Sequence, residues 1–225
     1  MTKIPLNIFQ TYHTLDLPIR MKKCVNKLIR KNPEFHHYLY DDVMCRNFIQ
    51  EYFSHEVLYA FDKLIPGAYK ADLWRYCILY IYGGIYLDIK YGCVGDFKLI
   101  ELTDKEYYVK DQIMSGIQGV YQALMIHEPR NNLLLNMINH IVSNVKNNYY
   151  GSNPLMITGP HLMKEFVPNN IFDSSKLYLN SNKRCILFNE IPILRIYKGY
   201  RSELSQTQLK PPYYVLWKNR QVYNR

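Results

Sequence analysis

Asp72 and Arg75 lie three residues apart inside an apolar stretch from Ala68 to Tyr82, and Asp88 and Lys90 follow just beyond the pair Gly83-Gly84. On a helix, positions i and i+3 share a face, so this spacing presents one carboxylate and one guanidinium to the same ligand. An exposed surface ion pair has the same spacing and contributes little. Here the neighbours are nearly all apolar, and a charge within a buried helix must be paired or must line a cavity, because an isolated buried charge is very costly. A polar pocket beside Asp88 meets that requirement, with two acids and two bases gathered around one turn.

The elements that would position these groups follow from periodicity and from chain breakers. Pro66-Gly67 precedes the Ala68–Tyr82 stretch, which is too long for one strand, and Gly83-Gly84 is a helix stop. The segment therefore reads as a buried helix. Ile85-Tyr86-Leu87 then leads as a strand into Asp88, at the carboxyl end where ligands sit in open α/β sheets. Upstream, two strand-helix units are expected. The first pairs Ile4–Phe9 with a helix over Leu17–Arg30, and the second pairs Phe35–Tyr40 with a helix capped by Asp41-Asp42. Downstream, strands are expected around Tyr107–Lys110, Ile113–Ile117, Tyr121–Ile126, Arg184–Phe188 and Ile193–Tyr197. A helix is expected over Asn131–Val145, and a short one opens at Thr158-Gly159-Pro160. The fold class is α/β with a mixed sheet, in a single domain spanning residues 1–225.

The composition, 48% hydrophobic and 21% charged, is that of a folded globular chain. A formal charge of +9 attracts anionic ligands over long range, but the basic residues are scattered, so no nucleic-acid partner is expected. The 22 tyrosines suit cores that open onto polar ligands, although packing is the commoner use of an aromatic ring. Five cysteines at wide spacing outline neither a disulfide framework nor a zinc site and fit a reducing compartment. With no apolar leader near Met1 and no apolar run long enough to span a bilayer, the expected location is cytoplasmic, a viral factory included.

Three groups of residues make the reading specific. Ile4-Pro5-x-x-Ile8-x-Gln10-Thr11, Ala71-Asp72-x-x-Arg75-Tyr76 and Gly83-Gly84-Ile85-Tyr86-Leu87-Asp88 resemble glycosyltransferase family 32, the DXD-containing sugar transferases that include the fungal initiating α-mannosyltransferases. The glucosylating bacterial toxins are more distant relatives of that family. Asn32-Pro33-Glu34, Tyr40-Asp41-Asp42 and Thr158-Gly159-Pro160 extend the likeness along most of the chain. The resemblance implies a GT-A type nucleotide-binding α/β sandwich. It also implies retaining transfer of a hexose or N-acetylhexosamine from a nucleotide-diphosphate sugar, UDP favoured over GDP, to a glycan or protein acceptor. Gln10, Thr11 and Tyr12 would lie at the nucleotide. Asp72 and Arg75 would hold the donor sugar, Tyr86 would stack or pack beside Asp88, and Asp88 would contact the ribose or the metal shell. Trp217 would close over the diphosphate, and His161 would lie on the acceptor side. His13 is close enough to face the nucleotide, though a lone loop histidine is more often solvated.

The family motif reads Asp-x-Asp, whereas this chain has Asp88-Ile89-Lys90. The missing acid is ordinarily a direct ligand of Mn²⁺ or Mg²⁺, so the metal expected at Asp88 loses a ligand. Three outcomes stay open. Lys90 can replace the ion as the positive charge on the departing diphosphate; Asp88 can hold a weak ion with Asp96 or Asp111; or the site can bind nucleotide sugar without turning it over. The competing class is a basic nucleotide- or nucleic-acid-binding protein without catalysis, yet neither an RNP-like motif nor a helix-turn-helix appears.

Overall fold

The computed structural model describes residues 2–114 and 116–224. From the amino end run β1 (Asn7–Thr11), α1 (Ile19–Lys31), β2 (His36–Tyr40), α2 (Asp42–Tyr52), α3 (His55–Lys63), α4 (Gly67–Tyr82), β3 (Gly84–Leu87) and β4 (Tyr91–Cys93). These are followed by β5 (Val109–Met114), β6 (Ile117–Val120), β7 (Leu124–His127), α5 (Asn132–Lys146), α6 (Pro160–Phe166) and α7 (Asn169–Asp173). The last third holds β8 (Leu177–Asn180), β9 (Cys185–Phe188), β10 (Ile191–Ile196), α8 (Tyr200–Thr207) and α9 (Tyr213–Lys218).

Two mixed sheets organise the chain. The first has the order β2-β1-β3-β7, with β1 parallel to both β2 and β3, and β7 antiparallel to β3. The second has the order β4-β10-β9-β8-β5-β6, antiparallel except where β5 meets β8. Successive strand residues face opposite sides. Phe9 and Tyr86 thus join the core formed with α4 and α5, while Ile8, Ile85 and Leu87 join a second core with Val109, Leu177 and Leu194. No helix among the described residues is long and apolar enough to cross a membrane.

Local chemistry accounts for most element boundaries. On α1, Met21, Val25 and Leu28 are buried at one-turn intervals, and Asp41 caps α2 by accepting from the Met44 amide at 2.8 Å. Helix α4 is buried around most of its circumference, including Leu73, Trp74, Tyr76, Cys77, Ile78 and Leu79. It ends where Gly83 and Gly84 take φ of +60° and +112°. A side chain at Gly84 would place its Cβ 2.7 Å from the Asn7 carbonyl oxygen, in the contact that seats β3 beside β1. Gly84→Ala is expected to cost about 2 kcal/mol, from backbone strain and crowding together, read as a lower urea midpoint at unchanged slope. An unchanged midpoint would show that the strand shifts freely.

Several expectations need correction. The strand expected at Ile113–Ile117, of which Ser115 lies outside the described residues, is divided between two strands: β5 ends at Met114, β6 starts at Ile117, and these two residues pair antiparallel. Apolar Ile113 is 69% exposed there, so an apolar run here signals no core strand. The first strand begins at Asn7 rather than Ile4, because the amides of Lys3 and Ile4 bond the Thr103 carbonyl instead of a sheet partner. Tyr107 makes only an isolated bridge to Ile126, and β7 starts at Leu124 rather than Tyr121. Helices α3, α7, α8 and α9 and strands β4 and β8 were not anticipated. Val57, Ala60 and Phe61 on α3 do follow helical spacing, whereas α8 has no buried residue and offers no such signal.

Candidate active site

Arg75 is the hub of the charged cluster. It is 7% exposed, and Nη1 lies 3.3 Å from Asp72 Oδ1 and donates to the Gln122 carbonyl at 2.9 Å. Nη2 is 3.7 Å from Asp88 Oδ1, and the guanidinium carbon sits 4.4 Å above the centre of the Tyr86 ring. One helical residue thus bridges both acids and a backbone oxygen, a use that suits the rigid fork of arginine. The spacing on α4 sets Asp72 beside Arg75, and the end of β3 supplies Asp88.

The two carboxylates sit in different environments. Asp72 accepts from the Thr158 hydroxyl at 2.7 Å, just ahead of α6. Burial raises its pKa to about 6, since Arg75 and Thr158 offset the desolvation only in part and Asp88 adds repulsion. At Asp88, burial also pushes the pKa up, but Lys90, Arg75 and the hydrogen bonds from Lys90 and Tyr86 outweigh it and hold the group below its ordinary value. The Tyr86 hydroxyl donates to Oδ1 at 2.8 Å, and Lys90 Nζ donates to Oδ2 at 2.6 Å. Burial alone would lower the Lys90 pKa; Asp88 and the surrounding tyrosines raise it, so the ammonium stays charged. That ammonium lies 5.5 Å from the Tyr91 ring centre and 5.6 Å from that of Tyr121, whose hydroxyls are 2.9 Å apart.

The resemblance implies a divalent cation here, and the residues do not fit one. Both Asp88 oxygens are engaged by donors, two of the groups around them are cationic, and Lys90 occupies the place of the second acid. Among the described residues no three His, Cys, Asp or Glu side chains gather closely enough to hold a metal, and Asp96 is exposed in the turn after β4.

The structure brings Asp72, Arg75, Tyr86, Asp88 and Lys90 together, and the other residues named from sequence make their hydrogen bonds elsewhere. Gln10 is fully buried, donating to the Leu87 carbonyl at 3.2 Å and lying 2.8 Å from His37 Nε2. An amide oxygen only accepts, so that imidazole nitrogen carries the hydrogen; burial lowers the His37 pKa to about 4 and keeps the ring neutral. Both ends of the Gln10 side chain are thereby used within the protein. Thr11 donates to the Tyr40 carbonyl at 2.9 Å, and Tyr12 bonds the hydroxyl of Thr207 on α8 while its ring lies 4.2 Å from that of His13. The indole N–H of Trp217 donates to the Tyr150 carbonyl at 2.7 Å, which anchors α9. His161, in the first turn of α6, is 3% exposed; its Nδ1 has no partner among the described residues, and burial lowers its pKa.

Sequence reasoning did not single out Gln122, Tyr121, Tyr200 or Tyr213. Burial raises the pKa of Tyr200 on α8 and of Tyr213 on α9, and the charges of Lys90 and Asp88 act on the first and those of Asp72, Asp111 and Lys90 on the second. Tyr213 also lies 5.7 Å from the Tyr69 ring. The surplus of tyrosine was the signal, but it marked no position.

Comparison with known proteins agrees with this geometry. The family described as "Glycosyltransferase sugar-binding region containing DXD motif" matches residues 18–109, which hold Asp72, Arg75, Asp88 and Lys90. An uncharacterised glycosyltransferase of Acanthamoeba polyphaga mimivirus is 29% identical over 187 residues, covering 75% of this chain and 71% of the viral one. Inositol phosphoceramide mannosyltransferase 2 of Schizosaccharomyces pombe is 30% identical over 158 residues, covering 70% of this chain and 44% of the fungal one. The chain thus spans less than half the length of that fungal relative. Among solved structures, PaToxG glycosyltransferase superposes with a TM-score of 0.52 at 15% identity, covering 75% of this chain and 70% of that one, which makes the mixed α/β arrangement a GT-A-like fold. In motif order and fold the chain is similar to the DXD-bearing glycosyltransferases, and its residues 18–109 match the model of their sugar-binding region.

Proposed function

We propose that this protein transfers a hexosyl group from a nucleoside-diphosphate sugar to a hydroxyl of a glycan, glycolipid or protein acceptor, with Lys90 and Arg75 carrying the charge that a metal ion supplies in DXD relatives. The observation that supports it is the Lys90 ammonium, held 2.6 Å from Asp88 at the place of the second motif acid. In the reaction, the bond from the anomeric carbon to the diphosphate oxygen breaks and its electron pair stays on the diphosphate. A bond forms from the acceptor oxygen to that carbon, and the hydroxyl proton leaves with the diphosphate or to water. Negative charge therefore grows on the leaving group, and fixed cations in a partly dry site stabilise it without reorganising. Asp72 and Asp88 accept hydrogen bonds from the sugar and ribose hydroxyls.

Within this proposal Thr11 and Tyr12 flank the nucleotide, Gln10 fixes the end of β1 against β3, and Trp217, which anchors α9, closes over the diphosphate. His161 lies on the acceptor side. The names of the fungal relatives favour a mannosyl group, which moves the preferred base from uridine toward guanosine. Retention at the anomeric carbon belongs to the same proposal and is read by NMR of the first product formed.

The test is thermal shift and donor hydrolysis with GDP-mannose, UDP-glucose and UDP-N-acetylglucosamine, each with Mn²⁺ and with chelator. One donor is expected to raise the Tm and to be hydrolysed in chelator as fast as in Mn²⁺. Strict Mn²⁺ dependence would overturn the role given to Lys90. Folded protein that responds to no donor would overturn transfer and leave a degenerate or non-enzymatic member.

A further inference from the structure

Asp111 is a buried carboxylate without a counter-ion. It is 9% exposed, and the hydrogen bond to its side chain comes from the next amide, Gln112, at 2.7 Å. Among the described residues no cation pairs with it and its second oxygen accepts nothing from the protein; that oxygen is not sealed from solvent, so a water or a ligand hydroxyl can reach it. Burial raises its pKa to about 6, with the Gln112 amide and Lys90 offsetting part of the rise.

The backbone carries this carboxylate on a hairpin that borders the charged cluster. Lys110 pairs with Val120 and Ile113 with Gln118, so the β5–β6 register slips between Lys110 and Ile113, and Asp111 sits in that bulge. Bulges re-aim side chains and gather beside active sites. Two residues back on β5, the Val109 carbonyl accepts from the Tyr121 amide; Tyr121 lies under Lys90, the Gln122 carbonyl binds Arg75, and the Ala123 carbonyl binds the Asp88 amide. On the opposite strand, a Cβ at Gly119 would lie 2.8 Å from Pro160. This close seat puts the start of α6, with Thr158 on Asp72 and the unpartnered His161 nitrogen, against the hairpin that carries Asp111.

We infer that Asp111 is the acceptor-binding carboxylate, accepting a hydrogen bond from a hydroxyl of a polyol or sugar acceptor and holding it beside the donor sugar. The inference rests on the transferase reading above and adds the acceptor residue to it. Asp72 and Asp88 are each paired with a cation and are given to the donor, which leaves Asp111 as the carboxylate on the neighbouring hairpin with no ion pair among the described residues.

The experiment compares wild type, Asp111→Asn and Asp111→Glu, using the donor that wild type hydrolyses and, as acceptor probes, methyl α-D-mannopyranoside and myo-inositol at millimolar concentration. Asp111→Asn is expected to keep donor hydrolysis and donor KM within about twofold, while kcat/KM for the acceptor falls about 10- to 100-fold, the range for a lost hydrogen bond to a charged group. Asp111→Glu should recover part of that loss. Equal transfer by Asp111→Asn, or a parallel loss of hydrolysis and transfer in both variants, overturns the assignment. So does a wild-type enzyme whose donor hydrolysis neither probe diverts. Absence of any donor hydrolysis in wild type defeats the transferase reading itself, and this inference with it.

Discussion

Lys90→Ala is expected to lower kcat for sugar transfer by about 10²–10³-fold at saturating donor, the range found when one electrostatic contact to a developing oxyanion is removed. In the folded protein Lys90 is packed by the Tyr91 and Tyr121 rings and tied to Asp88, with its side chain 18% exposed. It is therefore held in place before the diphosphate departs, as electrostatic stabilisation requires. Its removal also leaves Asp88 with Arg75 at 3.7 Å as its nearest cation, so the cluster loses positive charge where the leaving group gains negative charge. The companion variant Lys90→Asp restores the Asp-x-Asp spacing. It should be inactive in chelator and regain activity with Mn²⁺, because two carboxylates can share an ion that one carboxylate paired with an ammonium cannot. Single-turnover transfer in chelator and in Mn²⁺ measures both variants. A Lys90→Ala enzyme as fast as wild type would remove Lys90 from the mechanism.

Arg75→Met should cost about 3–5 kcal/mol of stability, because it removes the cation shared by two buried or half-buried carboxylates and leaves them facing each other. For a chain of this length that corresponds to a Tm lower by roughly 6–20 °C. The loss should depend on pH in a defined direction. The folded Asp72 carboxyl, at about 6, lies above its ordinary value near 3.8, so its contribution to stability is complete below about 4 and is lost as pH rises through about 6. Asp88 is held below its ordinary value, so its contribution is present above that value and is lost on acidification. Without Arg75 both carboxyls take up protons more readily, and the protonated forms no longer need the missing cation. The Tm deficit should therefore shrink between pH 8 and pH 5, measured by differential scanning fluorimetry. A deficit equal at both pH values would mean that Arg75 acts through packing on Tyr86 rather than through charge.

The first half of the charged cluster was legible because its chemistry is local. Asp72 and Arg75 share a face through helix geometry alone, and the buried length of α4 follows from an apolar run closed by two glycines. β3 was legible for the same reason, an apolar triplet placed between a glycine turn and an acid. The tip of β5–β6 was misread because its apolar residues are exposed there, so periodicity reported hydrophobicity and not burial. Helix α8 was illegible because nothing on it is buried; Glu203 ties it to the start of α1, accepting from the Arg20 amide at 2.9 Å and the Met21 amide at 3.1 Å, a contact between segments far apart in the chain.

By itself the amino-acid sequence determined the α/β class, the helix that carries Asp72 and Arg75, the strand that ends at Asp88, and the replacement of the second motif acid by Lys90. All of these depend on residues within a few positions of one another, where side-chain spacing and backbone preference act directly. The tertiary structure alone decided that Lys90 turns back onto Asp88 between two tyrosine rings, that Gln122 and Thr158 complete the partners of Arg75 and Asp72, and that Gln10 is consumed in holding strands together. It alone also placed Asp111 in a bulge, since a register slip exists only between two paired strands. Contacts across tens of residues depend on which surfaces meet when the apolar cores close, and no short window of sequence contains that information.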